Sequence, residues 1–280
     1  MSFEKKRALW NHCVKFAVYA ASVLTASLLL GLIGYILYRG LPNLSWELVS
    51  TQTSYLRGTI GILPNLVNTL YIILVAMVIV LPLGVGAAIY LTEYAENRRL
   101  VSLIEFAAET LTGIPSIIFG LVGMLFFVQK MNLQAGVLAG GLTLVVMILP
   151  TIVSVTVTSL RAVPPEYYEG SLALGATPVT SIFKMNIRAA RSGIVTGIVL
   201  GVGRAIGETM AIIMVSGNVP NLPNLFKSVR FLTTGIVSEM SYAADLHRQS
   251  LFSIGLVLFV FIFFINLLLN RILKKGAKAR

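Results

Sequence analysis

The sequence predicts an all-α membrane protein of six transmembrane helices, on the strength of its composition, its apolar runs and the placement of its charges. Hydrophobic residues make up 56% of the chain and charged residues 12%, with a mean hydropathy of +0.86; that balance excludes an ordinary soluble globule. Several apolar runs are long enough to cross roughly 30 Å of hydrocarbon as helices, and none shows the alternation of an outer-membrane barrel strand. The charges fall mainly in the connections and at the ends, so the net charge of +11 reads as topology rather than nucleic-acid binding.

The first span is expected over 16–38, behind Lys5, Lys6 and Arg7 and flanked by Trp10, Tyr35 and Tyr38 as interfacial anchors. It is too long for the apolar stretch of a signal peptide, and no small-x-small cleavage site follows it. Residues 1–15 are a short cytoplasmic segment, and a Pro- and Gly-punctuated loop over 39–64 follows the span. In the second span, 66–91, Pro82, Gly84 and Gly86 predict a kink or the close approach of a neighbour. Glu93, Glu96, Arg98 and Arg99 mark a turn into the third span, 102–128, which Gly113, Pro115 and Gly120 break. Glu105 and Glu109 open that span and belong near the interface, because carboxylates deeper in lipid are costly. Beyond Lys130 and Asn132, the fourth span covers 135–160 with a kink at Pro150. The fifth, 193–216, and the sixth, 251–269, flank a second loop that reaches Arg248. Together 16–270 form one permeation-type bundle, interrupted by a polar stretch over 161–191 and followed by a basic tail, 271–280.

Basic residues orient the bundle. Of the 22 Lys and Arg, this arrangement leaves only Arg39, Arg57, Lys130, Lys227, Arg230 and Arg248 outside, and Arg204 within a span. The bias places both termini and the polar stretch in the cytoplasm. Cys13 is the only cysteine, which excludes an intrachain disulfide, and His12 and His247 are too few and too far apart to suggest a metal site.

In the polar stretch, Leu172, Ala173, Ile182, Phe183 and Ile187 recur at helical spacing while Gly175 and Pro178 interrupt them, predicting helix, turn, helix. Two short amphipathic helices meeting at a glycine form either a docking surface outside the bilayer or a plain connection between spans. In the fifth span, Arg204 and Glu208 are four residues apart and expected on one helical face. They either neutralise each other as structural glue, or Arg204 offers a planar, permanently charged donor fork to an oxyanion in transit while Glu208 tempers its grip. Gly201, Gly203 and Gly207 leave the backbone bare for another helix or a small ligand. No strand precedes these glycines, so they are not a dinucleotide-binding loop, and no phosphate loop of the Gly-x-x-x-x-Gly-Lys-Ser/Thr form occurs anywhere in the chain.

Glu169-Gly170-Ser171, then Gly175, then Met185-Asn186-Ile187 resembles the EAA loop of ABC-importer permeases, with Arg188 where the loop usually closes on proline. The stretch Arg204-Ala-Ile-Gly-Glu-Thr-Met-Ala211 resembles the signature of the phosphate-specific members, and Pro82 to Tyr94, Gly113 to Gly120 and Ile148 to Ile152 agree. The likeness covers about 58–270 and is nearer to PstA than to PstC subunits. It implies a type I importer permease fold whose cytoplasmic coupling helix uses Glu169, Gly170, Ser171, Gly175, Met185 and Ile187. It also implies a phosphate pathway through Arg204, Glu208 and Thr209. The implied partners are a PstC-like permease, two PstB-like ATPases that hydrolyse ATP with Mg²⁺, and a PstS-like extracytoplasmic phosphate-binding protein. This chain would bind no cofactor and catalyse nothing itself. The rival readings are a permease for sulfate, molybdate or an amino acid, and a membrane scaffold or sensor of phosphate status.

The charge bias makes a direct prediction. With Cys13→Ser as background, Asn224→Cys should react with an impermeant thiol reagent in intact cells and Lys278→Cys should not; labelling in the opposite sense would invert the topology.

Overall fold

The computed structural model describes residues 3–54, 59–243 and 245–278. Arg57 and Arg280, both used in the charge bias, lie outside the described residues, as do the side chains of Lys274, Lys275 and Lys278. Helix α1 (Phe3–Gly40) is followed by a short α2 (Trp46–Ser50) and an antiparallel hairpin of β1 (Gln52–Ser54) and β2 (Thr59–Ile62). The described part of the region expected as a loop over 39–64 therefore holds a short helix and a strand pair. Ser45 caps α2 by accepting the Leu48 N–H, and Thr53 Oγ1 donates to the Gly61 carbonyl at 2.6 Å.

Helix α3 (Leu63–Ile89) passes through Pro82 and ends in a π-helical turn, Tyr90–Tyr94. Asn97 then caps α4 (Arg98–Thr112), accepting from the N–H groups of Arg99 and Leu100. Helix α5 (Ser116–Gly123), with its π-helical extension Met124–Lys130, follows at 101° to α4. The third span is thus a bent pair rather than one rod. Gly113 and Pro115 make the bend, because α4 ends at Thr112 and Pro115 lies immediately before α5. Gly120 does not break the span as expected; it lies inside α5 and lets α11 (Met210–Ser216) approach at Ala211.

Helix α6 (Val137–Arg161) runs unbroken through Pro150 and forms the centre of the bundle. Two-thirds of its apolar window (67%) is buried, against 39% for the span that includes α3. Glycines let the neighbours close on it: Gly84 of α3 meets Ile152, and Gly201 of α10 (Arg191–Gly207) meets Ile148 and Ile152. The result is a continuous core that includes Ile72, Ala76, Val80, Leu144, Ile148, Ile152, Val202 and Ile206. A second cluster near the 161–191 end joins Ala88, Leu91, Val101, Val157, Leu160, Ile182 and Ile194.

The 161–191 stretch folds as α7 (Pro165–Ala173), α8 (Pro178–Ser181), a π-helical turn (Ile182–Asn186) and α9 (Ile187–Ala189). The stretch thus has two arms, α7 and Pro178–Ala189, and the second meets α10 at a bend of 64°. At the opposite end of the bundle, the expected loop after the fifth span contains α12 (Leu232–Met240), and α13 begins at Asp245 and runs to Lys278. The chain doubles back there: the Val229 N–H returns to the Ser216 carbonyl at 3.1 Å, and the Leu138 N–H donates to Leu225 at 3.0 Å. Val229 and Phe231 are buried in the main core. Helix α1 touches this body near its C-terminal end, where Ser253 of α13 donates to the Gly40 carbonyl and Tyr35 meets Phe252 edge to face.

Among the described residues, four helices are long and apolar enough to cross a membrane, and six spans result if each bent pair counts as one. The turn that starts the return segment depends on Gly217, whose φ of 75° and ψ of −163° fall in a region open essentially to glycine alone. A side chain there would also overlap Ser228. Gly217→Ala is therefore expected to cost about 1–3 kcal/mol, read as a lower thermal-unfolding midpoint in detergent; an unchanged midpoint would refute it.

Candidate functional site

The fifth span is not one helix. Helix α10 stops at Gly207, Glu208 is extended (φ −75°, ψ 125°), and α11 resumes at Met210. This break corrects the expectation that Arg204 and Glu208 share one helical face, since helical register between them ends before Glu208. The two side chains form no ion pair with each other among the described residues. Arg204 Nη1 instead donates to Thr151 Oγ1 of α6 at 3.2 Å. Glu208 turns toward the start of α11, where Oε1 lies 3.5 Å from the Ala211 N–H.

Arg204, Glu208 and Thr209 are all half-buried, so the charged groups face neither the tight core nor open surface. The three glycines divide in role. Gly201 is used for packing on α6, whereas nothing lies within 4 Å of a side chain built at Gly203 or Gly207. A guanidinium and a carboxylate thus flank a bare stretch of backbone at a helix break, where peptide groups are freed from the helical ladder. Such an arrangement suits a small polar solute passing between this face and a neighbouring surface.

The second group of residues predicted from sequence comes together in the 161–191 projection. Glu169, Gly170, Gly175 and Met185 are exposed, and Ser171 and Ile187 are half-buried. Gly175 makes the turn between the arms with φ +86° and open space around it, a conformation that disfavours any side chain. Ser171 Oγ lies 2.5 Å from Ser181 Oγ, and Ser181 donates to the Thr177 carbonyl at 3.1 Å, so the arms are pinned to each other. The apolar residues separate by facing: Ile182 is buried in the bundle, while Phe183 points out and Leu174 at the tip is 91% exposed. The projection is anchored by Asn186, whose Nδ2 donates to Glu93 Oε1 at 3.2 Å. Arg161, at its base, pairs with the half-buried Glu105 of α4 at 2.6 Å.

Thr151, Glu93 and Asn186 were not singled out from sequence as site residues. Thr151 carried a usable signal, a hydroxyl directly after Pro150 in an apolar helix; the Glu93–Asn186 pairing, between residues far apart in the chain, carried none.

A helical bundle with bent spans and a two-armed projection at one end is the architecture of type I importer permeases. A bacterial ABC transporter that imports the acidic polysaccharide alginate superposes with a TM-score of 0.65 at 12% identity, over 97% of this chain and 99% of its own. The MetNI methionine ABC transporter gives 0.59 at 22% identity, over 77% of this chain and 94% of its own. The chain belongs to the family described as binding-protein-dependent transport system inner membrane component, whose profile matches residues 80–278. Probable ABC transporter permease protein YqgI of Bacillus subtilis is 36% identical, the alignment covering 72% of this chain and 68% of that protein. The phosphate transport system permease protein PstC of Haemophilus influenzae is 34% identical, covering 77% and 79%. The protein is therefore a multi-pass inner-membrane permease subunit of an ABC transporter and not itself an enzyme.

Proposed function

We propose that this permease translocates inorganic phosphate, with Arg204 as the group that meets it. The observation that carries the reading is the placement of Arg204: a permanent charge in the last turn of a broken span, paired with a neutral hydroxyl rather than a carboxylate. A central arginine costs about 2.5–3.5 kcal/mol to insert, and its planar fork matches an oxyanion bidentately. Relatives named as phosphate transport system permeases support the choice of solute. Glu208 and Thr209 complete the pathway; the carboxylate beside the guanidinium prevents a trap that holds phosphate too tightly.

In this reading the 161–191 projection is cytoplasmic and docks on an ATPase through Glu169, Gly170, Ser171, Gly175, Met185 and Ile187. Both termini lie on the same side. ATP and Mg²⁺ are handled by two PstB-like subunits, a PstC-like permease completes the pathway, and a PstS-like protein delivers phosphate from outside. The form Gly113-Ile-Pro-Ser-Ile-Ile-Phe-Gly120 supports the PstA place in the pair, while relatives named PstC support the other place.

The test is ATP-dependent phosphate uptake by the reconstituted complex, normalised to assembled transporter. Because a hydrogen bond to a charged group contributes about 1.5–3 kcal/mol, Arg204→Gln should lower uptake by roughly tenfold or more. The double variant Arg204→Gln with Glu208→Gln should assemble and remain inactive, and Arg204→Lys should transport poorly despite its charge. Wild-type uptake by the double variant would sink the proposal, and competition by sulfate would reassign the solute.

Coupling makes a separate prediction. Gly175→Trp places a bulky side chain at a positive-φ turn and should abolish co-purification of the ATPase while the permease still reaches the membrane; normal assembly with normal uptake would remove the projection from the coupling path.

A further inference from the structure

We infer that Thr233 and the Arg230–Glu239 ion pair are positioning residues for the helix break, locking it to the end of the bundle opposite the 161–191 projection. The inference rests on the break being part of the pathway, as proposed above, but not on the identity of the solute.

The break at Glu208 leaves a C-terminal carbonyl without a helical partner. Thr233 Oγ1, in the first turn of α12, donates to that carbonyl at 3.3 Å. Thr233 is 8% exposed, so water has little access to replace it. The same turn of α12 is fixed on its other side by α3, where Thr69 Oγ1 accepts the Leu232 N–H at 3.1 Å and donates to the Asn65 carbonyl at 2.7 Å. Thr234 holds the turn's shape by accepting the Phe231 N–H at 2.9 Å.

What keeps α12 in place is the segment leading into it. Arg230 lies along Gly235, donates from Nε to the carbonyl and Oδ1 of Asn218, and pairs through Nη1 with Glu239 in the last turn of α12. Arg230 is only 13% exposed against 47% for Arg161, and Glu239 22% against 27% for Glu105, so solvent screens the pair less, chiefly at its arginine. Asn68 of α3 donates to the carbonyls of Asn221 and Arg230, tying the segment to the core at 2.8 and 3.1 Å.

These bonds form one path from the end of the bundle to the break: Arg230 clamps α12, and α12 presents Thr233 to Glu208. The break cannot straighten or open further unless α12 moves or this bond is lost. An event that displaces α12, such as a protein docking at that end, therefore changes the setting of Glu208 and of Arg204 one turn before it.

The test reads the break itself rather than transport. Met210, exposed beside Thr209, is changed to Cys in a Cys13→Ser background, and its modification rate by a hydrophilic maleimide is measured in membranes holding the whole transporter. Thr233→Val removes the hydroxyl with little change in shape and should raise the rate about fivefold, the effect of one lost neutral hydrogen bond on an opening equilibrium. Arg230→Ala should raise it at least as much, and Glu239→Gln, which discharges the pair but leaves the Arg230–Asn218 bonds in place, should raise it by less than Arg230→Ala. If Arg230→Ala fails to accumulate, Thr233→Val and Glu239→Gln decide. An unchanged rate in Thr233→Val, or an unchanged rate in Glu239→Gln, would overturn the inference. Loss of phosphate uptake by Arg204 variants bears on the solute reading and leaves this measurement unaffected.

Discussion

A backbone that leaves the helical ladder inside a membrane must find partners for its peptide groups within the protein, because lipid offers none. This constraint governs how the fifth span can be interrupted. At the break, the Glu208 N–H reaches back to Ala205, its carbonyl takes the Thr233 hydroxyl, and its carboxylate approaches the Ala211 N–H, while the Thr209 carbonyl starts α11 by accepting from Ile213. The return segment and α12 are accordingly part of the break's support rather than surface loop. Their burial follows from the same need, since a partner hydroxyl must itself be shielded from competing water.

The rest of the bundle is arranged so that such an interruption does not loosen it. Helix α6 is wrapped on several sides, and glycine or hydroxyl residues on the facing helices bring the backbones close, which in lipid replaces the hydrophobic drive that is absent there. Thr143, for example, occupies the space left by Gly123, and Ser159 that left by Gly193. The third span bends through 101° without loss of contact because α4 keeps Val101 in the core while its other face remains exposed. Rigid centre and interrupted edges give a body in which a few joints can move.

The spans were legible because long apolar runs have only one economical fate in this composition. The turn at Gly175 was legible for a similar reason: a glycine between two amphipathic segments has a direct backbone meaning, and it does adopt positive φ. The break at Glu208 was hidden, because Gly201-Val-Gly-Arg-Ala-Ile-Gly reads as a continuous helix with small residues until tertiary partners compete for its carbonyls. Helix α12 was hidden as well; Leu232-Thr-Thr-Gly-Ile-Val has weak helical preference, and what stabilises it is contact with Thr69 and Arg230, residues distant or non-helical in sequence. Arg204 was recognised as unusual from its place alone. Its partner Thr151 required coordinates, since hydroxyls in apolar helices commonly bond to their own backbone, as Thr143 does to Ala139.

Helix α1 contributes nothing buried over its apolar length and joins the remainder through its last turns at Gly40 and Tyr35. The profile shared across the family begins only at residue 80. The core itself starts earlier, at Ile72 and Ala76 of α3, so what sets α1 apart is its packing: its apolar length is free of the constraints that hold the core's sequence in place. A change of side chain along that length alters what the helix presents to its surroundings and leaves the internal geometry of the bundle as it is.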